Sequence, residues 1–300
     1  MGEDGGVTSE TKGTDHTRAG TSRVAEAEGL RLRYHEAGPQ DPEAPVLVML
    51  HGGGPGASAW STFGHLLPGF ARHFRTLLVD QPGFGASDKP ELDRDFYSFS
   101  AAAVAALLDE LGIARAHVAG TSLGGGACVR MALDHPDKVD RLLLMAPGGL
   151  SLNVFSADPP EGVRRLVEFG AAPEPTREAM RAFLTTLVHD PAHVTDELVE
   201  ERYADALDPE ARRGAQRVGA AFARWPEGAL LWREAHRVTR PTLLTWGRED
   251  RVNPLDGAFV ALKAMPDARL HVFPRCGHLA FTERADEFRR LAVDFLTGPA

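Results

Sequence analysis

Cysteine is scarce: Cys128 and Cys276 are the only two among 300 residues. Two thiols cannot build a disulfide framework for a chain this long, so a reducing, cytoplasmic compartment is the expectation. No apolar run approaches the roughly 20 residues that a membrane span requires. The chain does not open on a charged-then-apolar segment, so neither a secretory signal nor a membrane partner is expected. Lysine is nearly as rare, with Lys12, Lys89, Lys138 and Lys263 alone, and the formal net charge is -9. A chain without a basic patch is not expected to bind nucleic acid. No Cys/His cluster has metal-ligand spacing, so no metal is expected. A Gly-Lys-Ser/Thr loop is missing, as is a Gly-x-Gly-x-x-Gly turn with a trailing acid, which excludes the common phosphate cradles. Neither a cofactor nor an internal repeat is expected.

What is present reads as an ordinary globular chain, 43% hydrophobic and 25% charged, long enough for one large domain or two small ones. Residues 1–22 are rich in Gly, Thr, Asp and Glu with little to bury, and are expected to form a disordered tail. Beyond them, strand and helix patterns alternate. Leu30–His35 alternates as an outer strand should. Val46–Leu50, Thr76–Val79, His117–Gly120, Arg141–Met145, Thr242–Trp246 and Leu270–Phe273 read as buried strands. Val104, Leu107, Leu108 and Leu111 recur at helical spacing, with Gly112 as a stop. Phe288, Leu291 and Phe295 mark an amphipathic last helix. Between Pro147 and Arg240 strong strands give way to helical stretches broken by Pro and Gly. The expected division is a core of residues 23–148 and 239–300, with a helical lid at 149–238.

The most informative motif is Gly120-Thr121-Ser122-Leu123-Gly124, directly after an apolar strand and before a helix. Glycines flanking a serine let the backbone turn sharply and leave the hydroxyl exposed, the arrangement of a nucleophile elbow. Asp250 follows the strand Thr242–Trp246, and His278 follows Leu270–Phe273. In an open parallel sheet these strand ends share one rim. The order Ser, acid, His is that of the α/β-hydrolase fold, a mostly parallel sheet flanked by helices. His278 would take the proton of Ser122, and Asp250 would hold the imidazole tautomer. Glu249 and Asp256 are rivals for the acid, since an acid after a strand often only caps a helix. His51-Gly52-Gly53-Gly54-Pro55 follows another buried strand and suggests an oxyanion hole, with Gly53, Gly54 and Leu123 as backbone donors.

These stretches, together with Gly56-Ala57-Ser58-Ala59-Trp60, Asp80-Gln81-Pro82-Gly83-Phe84-Gly85-Ala86-Ser87-Asp88, Gly125-Gly126 and Gly247–Gly257, resemble the meta-cleavage product hydrolases from about residue 24 to residue 297. Among these the chain looks most like the actinobacterial branch acting on a ring-opened steroid in cholesterol breakdown. The resemblance implies hydrolysis of a carbon–carbon bond in a vinylogous diketone acid. The bound dienolate is first ketonised, with His278 involved. Ser122, or a water it activates, then attacks the ketone. The products are a carboxylic acid and a 2-hydroxydienoate. The resemblance also implies a homo-oligomer, dimer or tetramer, and an apolar, acidic small-molecule substrate whose carboxylate meets Arg202. Without it, Glu200-Glu201-Arg202-Tyr203 reads as a solvated helix face.

Three positions depart from that family. Thr62 and Thr121 stand where Asn is usual, and Leu279 stands where Trp is usual, all in the substrate pocket. Threonine keeps one hydroxyl but loses the two-sided amide, and leucine removes an aromatic wall and an indole N–H. An esterase or lactonase with a repurposed pocket, in a biosynthetic pathway, is therefore the rival reading. A non-catalytic receptor on the same fold is a third, and it leaves the survival of Ser122, Asp250, His278 and Gly53 unexplained.

Overall fold

In the computed structural model residues 16–150, 152 and 155–299 are described. The strands are β1 (Ser22–Ala27), β2 (Leu30–Ala37), β3 (Val46–Leu50), β4 (Arg75–Val79), β5 (Ala116–Thr121), β6 (Val139–Met145), β7 (Thr242–Gly247) and β8 (Ala268–Phe273). They form one eight-stranded sheet in the order β1-β2-β4-β3-β5-β6-β7-β8. From β4 across to β8 every neighbouring pair is parallel. The β1–β2 and β2–β4 pairs are antiparallel. The continuous apolar runs occupy the centre, where helices cover both faces: β5 and β7 are buried at every position.

Side-chain alternation divides the core in two. Val48 and Leu50 pack with Val118 and Leu144 into a cluster shared with the helices Phe96–Glu110 and Ser122–Asp134. Leu47 and Met49 point the other way, towards Phe63, Phe70 and the last helix, Ala285–Thr297, which contributes Phe288 and Phe295. The stop expected at Gly112 is present, with φ at +65°. Between β6 and β7 lie the helices Glu161–Ala171, Arg177–Thr186, Asp196–Leu207 and Pro209–Arg224. The first three build an apolar cluster of their own around Phe169, Met180, Phe183 and Val199. Among the described residues no helix is long and apolar enough to cross a membrane.

Two sequence expectations change. Residues 1–15 of the supposed tail lie outside the described residues, but Arg18–Thr21 forms a helical turn and Ser22–Ala27 is a strand. The Thr21 hydroxyl hydrogen-bonds the His35 ring at 3.0 Å, fastening this segment to β2. The strand escaped the hydropathy pattern because it is the outer edge of the sheet, with Val24 still 48% exposed. At the opposite edge β8 buries only Phe273 fully, so it is a border strand and not one buried on both faces. A border strand packs one face and leaves the other partly wet.

Candidate active site

The rim at the carboxyl ends of β5, β7 and β8 brings the distant residues together. Ser122 is the first residue of its helix and has φ +50°, a left-handed conformation that costs a non-glycine residue roughly 1–2 kcal/mol. The turn closes only because its flanks lack side chains. A Cβ on Gly124 would lie 2.1 Å from the Leu50 carbonyl oxygen, and one on Gly120 would lie 2.5 Å from that of Gly124. The first N–H groups of the helix, Leu123 among them, have no intrahelical acceptor.

The His278 Nδ1 lies 2.8 Å from Asp250 Oδ2, with both side chains buried. The other oxygen, Oδ1, accepts the N–H groups of Val252 and Asn253 at 2.7 and 2.9 Å. Asn253 in turn donates to the Ala146 carbonyl at the end of β6, and Trp246 Nε1 donates to the Asn253 carbonyl. A carboxylate so loaded accepts, so Nδ1 carries the proton and Nε2 keeps its lone pair. Both rivals for the acid are engaged elsewhere. Glu249 pairs with Arg248 and accepts the Cys276 N–H, and Asp256 accepts from Phe155 and Ser156.

Ser122 and His278 line one cavity of about 240 Å³. Gly52 and Gly53 form part of its wall. A Cβ on Gly53 would come within 2.9 Å of the Leu123 side chain, so the glycine loop and the turn that carries Ser122 are in direct contact. Gly54 is not among the wall residues, and a Cβ there would lie 3.3 Å from Arg202 Nη2 and from Phe183. The loop is held from behind by buried polar groups. His51 Nε2 accepts the Gln81 N–H at 3.1 Å, so Nδ1 is the protonated nitrogen and donates to the Gly52 carbonyl at 2.8 Å. Gln81 returns its amide N–H to the His51 carbonyl and takes the Ser100 hydroxyl. Burial pushes His51 below the usual imidazole range and keeps it neutral.

Arg202 also lines the cavity, at 7% exposure, so it is not on a solvated helix face. Its Nε and Nη2 donate to the Pro55 carbonyl at 2.9 and 2.7 Å. Gly56, at φ +64°, lets the helix Asp196–Leu207 approach this loop, because a Cβ there would lie 2.2 Å from the Arg202 carbonyl oxygen. Among the described residues no carboxylate forms an ion pair with Arg202. Burial pushes its pKa down to about 10, against the opposing charges of Asp205 and Glu201, and it stays protonated at neutral pH.

Thr62, Thr121 and Leu279 line the same cavity, and the Thr121 hydroxyl is buried without a hydrogen-bond partner. Much of the remaining wall is apolar and comes from Leu184, Leu187, Val188 and Val194 in the helical segment. Those positions carry no local sequence signal, because only the chain's return over the sheet makes them wall residues. His65 and His193 also border the cavity. His65 is displaced below the usual imidazole range by burial, which the Phe281 backbone partly offsets. Among the described residues no group of three His, Cys, Asp or Glu is placed to hold a metal ion.

Comparison with known proteins agrees with this geometry. Residues 45–285 match the family model described as the α/β hydrolase fold. A 2-hydroxy-6-oxo-6-phenylhexa-2,4-dienoate hydrolase from Comamonas testosteroni is 38% identical over 94% of this chain and 99% of its own length. A 2-hydroxy-6-oxononadienedioate/2-hydroxy-6-oxononatrienedioate hydrolase from the same species is 38% identical over 89% of this chain and 91% of its own. The crystal structure of a meta-cleavage product hydrolase from Pseudomonas fluorescens IP01 superposes with a TM-score of 0.80 at 30% identity, covering 91% of this chain and 97% of that one. With a serine on a glycine-flanked turn, an aspartate-paired histidine facing the same cavity, and relatives of this kind along nearly its whole length, the chain belongs to the meta-cleavage product hydrolases of the α/β-hydrolase family.

Proposed function

We propose that this protein hydrolyses a carbon–carbon bond in a 2-hydroxy-6-oxo-dienoate, the acid left when an aromatic ring is opened. The observation that carries the reading is Arg202: a buried guanidinium, in ion-pair contact with no carboxylate among the described residues, on the wall of the cavity that holds Ser122 and His278. A buried cation costs several kcal/mol unless an anion meets it. A substrate carboxylate supplies that anion and fixes which end of the dienoate enters first. The helices between β6 and β7 act as the lid that keeps water from the bound acid.

Chemistry follows from the tautomer. His278 Nε2 accepts the Ser122 proton, and Oγ attacks the ketone carbon. The oxyanion meets the N–H groups of the Gly53 and Leu123 turns. Carbon is a poor leaving group until the dienolate has been ketonised, a proton shift that His278 serves. The bond then breaks with its electron pair delocalised into a departing dienolate, and water releases the acyl group as a carboxylic acid. The names of the relatives support phenyl-bearing and open-chain dienoates, and a ring-opened steroid is the bulkier member of the same class.

A second reading, ester or lactone hydrolysis, draws on the three pocket departures. Thr121 offers a lone hydroxyl where the family usually has an amide. One experiment separates the two. The purified protein is given a yellow phenyl dienoate, an open-chain dienedioate, a ring-opened steroid acid and simple aryl esters in parallel. Bleaching of a dienoate with an equal yield of carboxylic acid, and much slower ester release, is expected. Rapid ester release without bleaching would replace the first reading by the second.

A further inference from the structure

The catalytic histidine does not ride on the sheet alone. Gly277, just before it, would place a Cβ 2.7 Å from the Val188 carbonyl carbon and 2.8 Å from Val188 Cα, so the two backbones touch. Leu279, just after it, donates its N–H to the Leu187 carbonyl at 2.9 Å. Leu187 and Val188 belong to the helical segment and line the cavity. His278 is therefore bracketed on both sides by contacts to one stretch of cavity wall.

A single carboxylate closes this bracket. Glu283 ends the short helix Ala280–Glu283 that follows His278. Its Oε1 accepts the Gly277 N–H at 2.6 Å, and its Oε2 accepts the N–H groups of His189 and Asp190 at 2.8 and 2.9 Å. Hydrogen bonds to an ionised acceptor are about twice as strong as neutral ones. From the acid side Arg251 reaches the same stretch, donating to the carbonyls of Thr185 and Val188 and to Glu161.

We propose that Glu283 is a positioning residue: its carboxylate splices the His278 loop to residues 187–190, so that the general base is aimed by the stretch whose first two residues, Leu187 and Val188, line the substrate cavity. The assignment rests on reading His278 as the base of Ser122. Glutamine cannot replace this group, because its amide end would present a donor to a backbone donor. Aspartate is one carbon too short to reach both sides.

The test is the rate at which a fluorophosphonate labels Ser122 in Glu283→Gln and Glu283→Ala, with Ser122→Ala as the control for the labelled position. This readout needs no knowledge of the natural substrate. Labelling in both variants should fall about tenfold or more, as a misaimed base predicts, while a cooperative thermal transition persists. Glu283 borders an outer depression of about 390 Å³ that also holds Arg275 and Arg284, so formate can enter the space vacated in Glu283→Ala. Formate, but not chloride at equal ionic strength, should restore part of the lost rate. Labelling within about twofold of wild type in folded variants overturns the proposal, since that change is far below what misaiming costs. Loss of the cooperative transition in both variants also overturns it, because Glu283 would then serve stability alone. A wild-type protein that resists the label defeats the Ser122–His278 reading itself, whatever the variants do.

Discussion

At Arg202 the chain keeps a charge where water hardly reaches. Its Nε and Nη2 hydrogen bonds converge on the Pro55 carbonyl, which fixes the guanidinium without neutralising it. Arg202→Gln should therefore weaken the binding of an acid substrate and spare the fold. Charged hydrogen bonds of this sort contribute about 1.5–3 kcal/mol, so kcat/KM for a dienoate should fall about tenfold to a hundredfold, chiefly through KM. The melting temperature should hold or rise, since a buried charge without an ion-pair contact is removed. Unchanged KM would contradict the role. Thr62→Asn, Thr121→Asn and Leu279→Trp combined should shift the ratio of dienoate to ester turnover, and an unmoved ratio would show that these departures did not retune the pocket. At this scale the Ser122 turn and the His278–Asp250 pair were legible because each of the three residues follows a strand end with its own local signature. Arg202 was legible only through family resemblance, for Glu200-Glu201-Arg202-Tyr203 carries no burial signal of its own. His65, Leu187 and Val188 were not legible at all.

Turns and edges govern the next scale. Gly124→Ala would drive a methyl to 2.1 Å from the Leu50 carbonyl oxygen, a backbone atom at the sheet centre that cannot yield. Urea unfolding should show a loss of about 3 kcal/mol or more, the range of severe core strain; a loss within experimental error would mean the elbow is looser than described. Gly29→Ala meets no atom within 4 Å, so only its φ of +78° penalises it, and about 1 kcal/mol is expected. Gly56→Ala presses on the Arg202 carbonyl and should push the helix Asp196–Leu207 off the glycine loop, raising KM more than it lowers stability. The central strands were readable because burial on both faces demands continuous apolar runs. The border strands β1 and β8 blurred that signal in opposite ways: Ser22–Ala27 is too polar to read as a strand, and Leu270–Phe273 reads as more buried than β8 is.

For the whole molecule, buried imidazoles set the response to acid. Burial displaces His51 downward, and does the same to His35, His65 and His117. Unfolded, each takes up a proton near pH 6.5; folded, each resists it until a lower pH. Above about pH 6.5 both states are neutral and stability is level. Below it the unfolded chain binds more protons, and stability falls, by at most about 1.4 kcal/mol per pH unit for a fully buried histidine such as His51. Glu234, held low chiefly by its hydrogen bond from Arg130, adds a further loss as pH drops below about 4.5. Melting temperatures between pH 8 and pH 4 should thus be flat at first and then decline; a rise on acidification would contradict this. The sheet's parallel order, which no single segment encodes, is what gathers residues 122 and 278 onto one cavity, with residue 250 buried behind 278. Its functional consequence is tested most directly by mixing Ser122→Ala with a yellow phenyl dienoate in a stopped-flow spectrophotometer. The account predicts that the variant still binds, perturbing the visible band, while turnover drops by about a thousandfold or more. Bleaching at the wild-type rate would contradict it.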